Sequence, residues 1–458
     1  MKKLFGTDGV RGVINKELSI ELAMRLGLAI GTFFGEGKKI LIGRDVRQGG
    51  DMIERAVEAG LLSTGISVYS AGLIPTPGLQ YAVKELNYDG GIVVTASHNP
   101  PEFNGIKVID SDGIELKRKY EEAIEEIFYS GRFNVVEWKR VKEVQREERA
   151  LGIYFKAILS QVETEKIRKR NFTVVVDGAN SVGSLVTPVL ARELGAKVIG
   201  VNTHLDPFFP SRLPEPNTET LRDTAEIVKA SKADLGVAHD GDADRAIFID
   251  SKGMIQMGDR SASLLCEYVY RSFKDNNSTV YTAVSSSLVV EDYLSRFGIK
   301  VKWTKVGSVD IAHMVKEERG LAGFEENGGF IYPPHQYVRD GAMTFALMLN
   351  LLADERGSSY EVFNKLPKYY TVKSSVPMRE GINIDNLYEE VINYYRSLYN
   401  EKLKIITVDG VKIIGEGFWV LIRKSGTEPI IRILAESKNE DEAKVLMDEA
   451  RKLILSKK

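Results

Sequence analysis

A short apolar, β-branched run at 91–94 (GIVV) gives way at once to the polar residues Thr95, Ser97, His98 and Asn99. Such a run predicts a fully buried strand, and the switch to polar residues marks its carboxyl end. The alternation recurs along the chain. Residues 39–42 predict a strand ending in Gly43-Arg44-Asp45, followed by a helix over 52–63, Gly65 and a strand over 66–69. Residues 172–176 end in Asp177-Gly178, and a helix through Arg192 leads to Gly195 and a strand over 197–201. Residues 279–284 end in serines, and a helix through Arg296 leads to Gly298 and a strand over 300–303. Three times the order is strand, polar loop, helix, glycine, strand, which implies right-handed parallel βαβ units. Ahead of them, Ser19 caps a predicted helix with Leu22, Leu26, Ile30 and Phe33 on one face.

From about Lys368 the pattern changes. The β-rich segments 369–376, 404–408, 411–414 and 418–422, a hairpin turn at Asp409-Gly410, and helical patterns over 385–399 and 440–455 predict an antiparallel α+β domain. The predicted fold is α/β, with three tandem similar α/β domains and a C-terminal antiparallel α+β domain. The expected boundaries are 1–148, 149–250, 251–366 and 367–458.

Composition narrows the classes. At 458 residues the chain exceeds one ordinary core, and about three or four domains are expected. The net charge of −2 is spread along the sequence, without the basic footprint of a nucleic-acid binder. No apolar run approaches the ~18 residues of a membrane span. Lys2 and Lys3 lead straight into a glycine-rich turn, which is no signal-peptide pattern. One cysteine, Cys266 in SLLCEYV, excludes a disulfide framework, fits a reducing cytoplasm and reads as a small core residue. The expectation is a cytoplasmic protein with a small-molecule substrate and neither nucleic-acid nor membrane partner, for which a homodimer stays open.

Candidate chemistry sits in the loops. Ser97 follows a strand's carboxyl end, where open α/β sheets bind ligands, and Pro100 and Pro101 bar a helix from following. The G-x-S-x-G elbow of serine hydrolases does not fit here, and a plain polar turn is the alternative. Residues 5–12 (FGTDGVRG) set three glycines around Asp8 and Arg11, a turn that either brings Arg11 onto a phosphate or carboxylate or is an ordinary N-terminal turn. Residues 239–245 (HDGDADR) alternate Asp240, Asp242 and Asp244. Unit charges ~4 Å apart repel by about 4 kcal/mol at an effective dielectric of about 20, so a cation is expected there, and oxygen ligands favour Mg²⁺, Ca²⁺ or Mn²⁺. An EF-hand is excluded by Arg245 at its glycine position and Ser251 at its closing glutamate; a solvated acidic turn is the alternative. Residues 323–329 (GFEENGG) offer Glu325 and Asn327 to sugar hydroxyls or form a plain polar loop. Residues 423–429 (RKSGTEP), with Arg432 just beyond, form an anion nest between strands or a plain hairpin. Four sites in four successive domains suggest a central cleft lined by all of them.

These motifs, in this order and across essentially the whole chain, resemble the α-D-phosphohexomutase family (phosphoglucomutase, phosphomannomutase, phosphoglucosamine mutase), with TASHNP and DGDADR the most specific. The resemblance implies an intramolecular phosphotransferase that interconverts hexose 1-phosphate and 6-phosphate of glucose, mannose and/or glucosamine. It also implies Mg²⁺, a phosphoserine and a bound glucose 1,6-bisphosphate or equivalent hexose bisphosphate. By position, Ser97 would be the phosphoserine, and Asp240, Asp242 and Asp244 would complete its Mg²⁺ site. Lys107 in Asn104-Gly105-Ile106-Lys107 would be the general acid/base, with Arg11, His98 and Arg245 alongside. Glu325 and Asn327 would hold the sugar, with Gly323 and the 304–307 loop carrying Lys305 on the substrate side. Arg423, Ser425, Gly426, Thr427 and Arg432 would grip the phosphate that is not reacting.

Two positions depart from the family pattern. EENGG replaces E-Q-S-G-H, so Gly329 removes a histidine, and Ser308 stands where relatives carry His or Asp. Both touch sugar selection and predict broad acceptance of C2 variants. A metal-dependent phosphatase would not need the C-terminal anion loop. A non-catalytic sugar-phosphate-binding protein would not need Ser97 with all three aspartates.

Overall fold

The computed structural model describes residues 3–6, 8–272, 278–378, 382–399, 403–425 and 429–456. It divides into two compact units, residues 1–261 with 327–363 and residues 262–326 with 364–458.

The first unit holds two sheets. In one, the strands lie in the order Val10–Val13, Phe103–Asp110, Gly90–Val94, Lys39–Arg44, Ser67–Leu73, Gln145–Arg146. Gly90–Val94 is buried at every position, as its unbroken apolar run requires. The βαβ expectation holds for Lys39–Arg44, which pairs in parallel with both Ser67–Leu73 and Gly90–Val94. It holds likewise for Thr173–Asp177 with Lys197–Val201. Past Ser97 the chain makes no crossover, and Phe103–Asp110 returns antiparallel to Gly90–Val94. Residues 95–102 are too few for a parallel crossover, which takes about a dozen or more. The helix Ile20–Phe34 starts as expected, with Ser19 Oγ accepting from Leu22 N at 3.2 Å, and buries Leu26 and Ile30.

The second sheet runs Ile255–Gln256, Ile247–Asp250, Leu235–Ala238, Thr173–Asp177, Lys197–Val201. Leu235–Ala238 and Ile247–Asp250 pair antiparallel, so HDGDADR is the connection of a hairpin. The unit also contains the helix Gly341–Asp354, buried through most of its circumference and capped by Asp340, whose carboxylate accepts from Met343 N at 2.9 Å.

In the second unit Lys300–Thr304, Thr279–Ala283 and Ala322–Phe324 are parallel neighbours. The helix expected through Arg296 ends at Leu294 and tightens into a 3₁₀ turn, Ser295–Phe297. The C-terminal sheet is antiparallel in the order Tyr370–Pro377, Ile430–Ser437, Phe418–Lys424, Val411–Gly415, Lys404–Ile406. Its hairpin needs Gly410, which has φ 77° and no room for a side chain, since a Cβ would lie 2.3 Å from Ile422 O.

Two buried polar residues join these parts of the second unit. Lys412 Nζ lies over Trp303 and Trp419, 3.7 and 4.1 Å from the ring centroids, and donates to Ser286 O at 2.7 Å. Glu436 is fully buried and accepts from Trp419 Nε1 at 2.6 Å, Leu288 N at 2.9 Å and Thr371 Oγ1 at 2.8 Å. Among the described residues, no helix is long and apolar enough to cross a membrane.

Glu436→Ala strands three donors in a dry core and is expected to destabilise the second unit by about 3 kcal/mol. Calorimetric melting and hydrogen exchange in the strands Phe418–Lys424 and Ile430–Ser437 provide the check. Unchanged melting and protection would show that the carboxylate is dispensable.

Candidate active site

Ser97 takes a left-handed conformation, φ 49°, which costs a β-carbon-bearing residue roughly 1–3 kcal/mol and persists only where its surroundings enforce it. The enforcement comes from Arg47, buried to 1 % exposure. Its guanidinium donates to the carbonyls of Ser97 at 2.6 Å, Asn99 at 2.7 Å, Pro100 at 2.8 Å and Phe103 at 3.0 Å. Asp45 holds Arg47 in turn, with Oδ2 3.1 Å from Nε, and accepts from Thr95 Oγ1 at 2.6 Å. Thr95 Oγ1 accepts from Ser97 N at 2.8 Å, closing the ring. The D-x-R spacing at the end of Lys39–Arg44 was the sequence signal for this clamp, and sequence reasoning gave it no role.

The aspartate loop meets the serine loop through Gly241, where a Cβ would lie 2.4 Å from Ser97 O. Ser97 Oγ donates to Asp240 Oδ2 at 2.8 Å. Asp240, Asp242 and Asp244, all buried, offer carboxylate oxygens within 4.8 Å of one another. Asp242 Oδ2 accepts from Thr76 Oγ1 at 2.7 Å and Lys107 Nζ at 3.1 Å, and Asp244 Oδ2 from Arg339 Nη2 at 2.5 Å. The second oxygens of Asp242 and Asp244 are buried and have no hydrogen-bond partner among the described residues. Three hard oxygen donors, two of them with unused oxygens, fit a divalent cation beside Ser97.

The protein's own cations already balance part of this charge, which the sequence estimate left out. Lys107, from the strand Phe103–Asp110, lies 3.0 Å from Asp8 Oδ2 and 3.9 Å from Asp244 Oδ2. Asp8 also pairs with Arg11 Nη2 at 2.8 Å and faces Arg339 Nη2 at 3.7 Å. Arg339 reaches in because Gly329 has no side chain; a Cβ there would sit 2.2 Å from Arg339 Cδ. The glycine singled out as a change in the sugar loop thus acts at the carboxylate cluster, and Arg339 is a site residue that the sequence did not reveal.

Charge states follow from these contacts. Burial pushes Asp240 up, reinforced by the carboxylates of Asp244 and Asp242. Against the same burial, Lys107 and the Thr76 hydroxyl hold Asp242 well below the usual range. Burial would lower Lys107, but Asp242, Asp8 and Asp244 outweigh it and keep the ammonium charged. Burial, then Arg245 and Arg11, drives His98 far down. Arg245 Nη2 lies 2.8 Å from His98 Nδ1, and an arginine can only donate, so the ring is neutral with its proton on Nε2. Arg245 also binds Glu215 Oε1 at 2.9 Å, a second partner missed from sequence.

The first unit therefore assembles Ser97, His98, Lys107, Arg11, Arg245, Asp240, Asp242 and Asp244. Asn327 belongs to the same unit, and its Oδ1 accepts from Gly329 N at 3.1 Å. Glu325 is buried in the second unit, as is Gly323, which lies inside the strand Ala322–Phe324 and not in a turn; its pairing with Tyr281 extends the sheet. Lys305 follows the strand Lys300–Thr304. Arg423 Nη2 pairs with Asp409 Oδ2 at 2.8 Å, Arg432 stands opposite Arg423 on the next strand, and Ser425 N donates to Ile430 O at 2.9 Å. Gly426 and Thr427 lie outside the described residues.

A serine hydroxyl on a buried three-carboxylate cluster, with a charged lysine in the same cluster, suits phosphoryl transfer, and similarity to known proteins gives the class, the phosphosugar mutases. Four family models cover nearly the whole chain: phosphoglucomutase/phosphomannomutase alpha/beta/alpha domain I at residues 2–135, domain II at 153–253, domain III at 257–370, and the C-terminal domain at 380–453. The chain belongs to the phosphoglucomutase/phosphomannomutase family. It is 58% identical over 458 residues, 100% of both chains, to the phosphoglucosamine/phosphogalactosamine mutase of Sulfurisphaera tokodaii. It is 43% identical over 459 residues, 99% of both, to a phosphoglucomutase/phosphomannomutase of Thermococcus kodakarensis. Among solved structures, a phosphoglucomutase/phosphomannomutase family protein from Burkholderia thailandensis superposes with a TM-score of 0.87 at 24% identity, covering 99% of this chain and 97% of its own. The N-acetylphosphoglucosamine mutase of Aspergillus fumigatus in complex with GlcNAc-6P and magnesium shares the fold at a TM-score of 0.64 and 16% identity, covering 98% and 95%. The chain is a phosphosugar mutase of α/β architecture with a C-terminal antiparallel domain.

Arg47→Lys retains a cation for Asp45 but cannot fork across four carbonyls, so mutase turnover should fall about a hundredfold or more. Steady-state kinetics with a hexose phosphate is the check, and wild-type turnover would refute the clamp.

Glu115 offers a pH test. Burial, then the Asp8 carboxylate, pushes it up from 4.5 to about 7. A raised folded pKa favours the protonated fold, so this contribution is full below pH 4.5 and is lost as pH climbs through 7. Glu115→Gln should therefore gain on the order of 2 kcal/mol over wild type at pH 8 relative to pH 4.5. Denaturant unfolding at the two pH values measures it, and parallel pH profiles would contradict the buried-acid assignment.

Proposed function

We propose that this mutase interconverts the 1- and 6-phosphates of aldohexoses, glucose, mannose and glucosamine among them, through phosphorylated Ser97 and a bound hexose 1,6-bisphosphate. The observation that carries the reading is Ser97 Oγ 2.8 Å from Asp240 within the aspartate cluster, with Lys107 charged and buried beside Asp242. The names of the relatives support the substrate range, since one is a phosphoglucosamine/phosphogalactosamine mutase and another a phosphoglucomutase/phosphomannomutase. We infer a cytoplasmic setting, in which the single cysteine, Cys266, is an unpaired buried thiol.

Asp240, Asp242, Asp244 and Ser97 Oγ would hold Mg²⁺. When bound, that ion neutralises the charge of the phosphoryl group in transit. Ser97 Oγ passes its proton toward Asp240 as it attacks the bisphosphate's phosphorus, and the bond from phosphorus to the sugar oxygen breaks. Lys107, held as an ammonium, supplies the proton that the departing sugar oxygen needs. In the opposite step a sugar hydroxyl attacks phosphoserine 97 and gives its proton to the Lys107 amine, the bond from phosphorus to Ser97 Oγ breaks, and Asp240 returns its proton to Oγ. Arg11 and Arg245 flank Ser97 and suit phosphoryl oxygens. Neutral His98 offers its Nε2–H. The arginines of the C-terminal domain suit the phosphate that is not reacting.

The test offers glucose, mannose, glucosamine and N-acetylglucosamine phosphates to the protein with Mg²⁺ and follows both isomers by phosphorus NMR. Interconversion that Ser97→Ala abolishes, together with a phosphoserine in active wild type, is expected. Release of inorganic phosphate as the main product would establish a phosphatase instead.

A further inference from the structure

The second unit contains a cavity of about 540 Å³, within the range of small-molecule sites, whose walls differ in charge. Arg423 and Arg432 both line it and stand directly opposite each other on neighbouring strands. Like charges in that register repel, so the pair favours an anion. Asp409 meets part of the demand, while Arg423 Nε is buried without a hydrogen-bond partner among the described residues. Ser375, opposite Arg432 on the edge strand, adds a hydroxyl to the same row.

Glu326 lines the same cavity with the opposite sign. One of its oxygens accepts from Ser285 Oγ at 2.9 Å. The cation facing the other is Lys373, 4.0 Å away on a side chain that is 60% exposed. A pair so long and solvated contributes little and gives way easily to a ligand cation. An ionised carboxylate is unsuited to a phosphate, and a neutral sugar hydroxyl needs only a neutral acceptor. A wall of arginines and one loosely paired carboxylate in a single cavity match a zwitterion, a phosphate at one end and an ammonium at the other.

We propose that Glu326 receives the C2 ammonium of a hexosamine phosphate, making it the residue that favours amino sugars over neutral hexoses. This rests on the mutase reading above and narrows its substrate class. It also differs from the expectation drawn from Ser308 and Gly329, which left few groups to discriminate at C2.

Glu326→Gln tests the charge alone, because the amide keeps the shape and an acceptor for Ser285. Steady-state kinetics and calorimetric binding to the full chain are measured with glucosamine 6-phosphate, glucose 6-phosphate and N-acetylglucosamine 6-phosphate. The ratio of kcat/KM for glucosamine 6-phosphate to that for glucose 6-phosphate should fall at least about tenfold, mainly through KM, as expected for losing a charged hydrogen bond. N-acetylglucosamine 6-phosphate, which has no ammonium, should respond as glucose 6-phosphate does, and Glu326→Asp should keep part of the preference. A ratio constant within about twofold overturns the proposal, whether both substrates weaken alike or neither does. If wild type interconverts none of the sugars, the mutase reading falls. Calorimetry still decides Glu326, since a binding preference for glucosamine 6-phosphate lost in Glu326→Gln supports it and an unchanged or absent preference refutes it.

Discussion

Burying ionised carboxylates is expensive unless cations and hydrogen bonds are buried with them, and Asp240, Asp242 and Asp244 are withdrawn from solvent in one cluster with partly buried Asp8 beside them. Lys107, Arg11, Arg245 and Arg339 meet that demand from four separate stretches of the chain. Each cation then constrains its surroundings. Lys107 fixes the register of the strand after the serine loop, Arg339 requires a residue without a side chain at 329, and Arg245 sets the tautomer of His98. Because the oxygens of Asp242 and Asp244 are only half satisfied by these groups, the cluster retains capacity for a divalent ion.

The serine loop depends on a second buried pair. A turn with Ser97 at positive φ is not a low-energy state for the peptide alone, and the carbonyls it exposes inward would be unpaired in a dry interior. Arg47 supplies donors to four of them and Asp45 anchors Arg47, so the strain is carried by the framework and not by the loop itself. The result is a hydroxyl held against Asp240 before any ligand arrives, a form of preorganisation that matters for phosphoryl transfer, in which positioning and charge stabilisation do most of the work.

Local patterning determined much of this protein. Apolar runs of the right length and their flanking glycines marked the strands, Ser19 marked a helix start, and Asp409-Gly410 marked a hairpin, because these features depend on neighbours within a few residues. Ser97 and the three aspartates were legible for the same reason, since each lies in a short segment whose density of polar groups is unusual at a strand end. Only the tertiary structure decided what surrounds them. Arg339 and Glu215 carry no distinguishing local signal and Arg47 only its spacing from Asp45, and each acts on residues far away in sequence, as Arg339 does on Asp244. Whether the aspartate loop faced protein cations or only a metal turned on packing between distant segments. A pattern of apolar and polar positions records which face is buried, but not what another part of the chain will place against it.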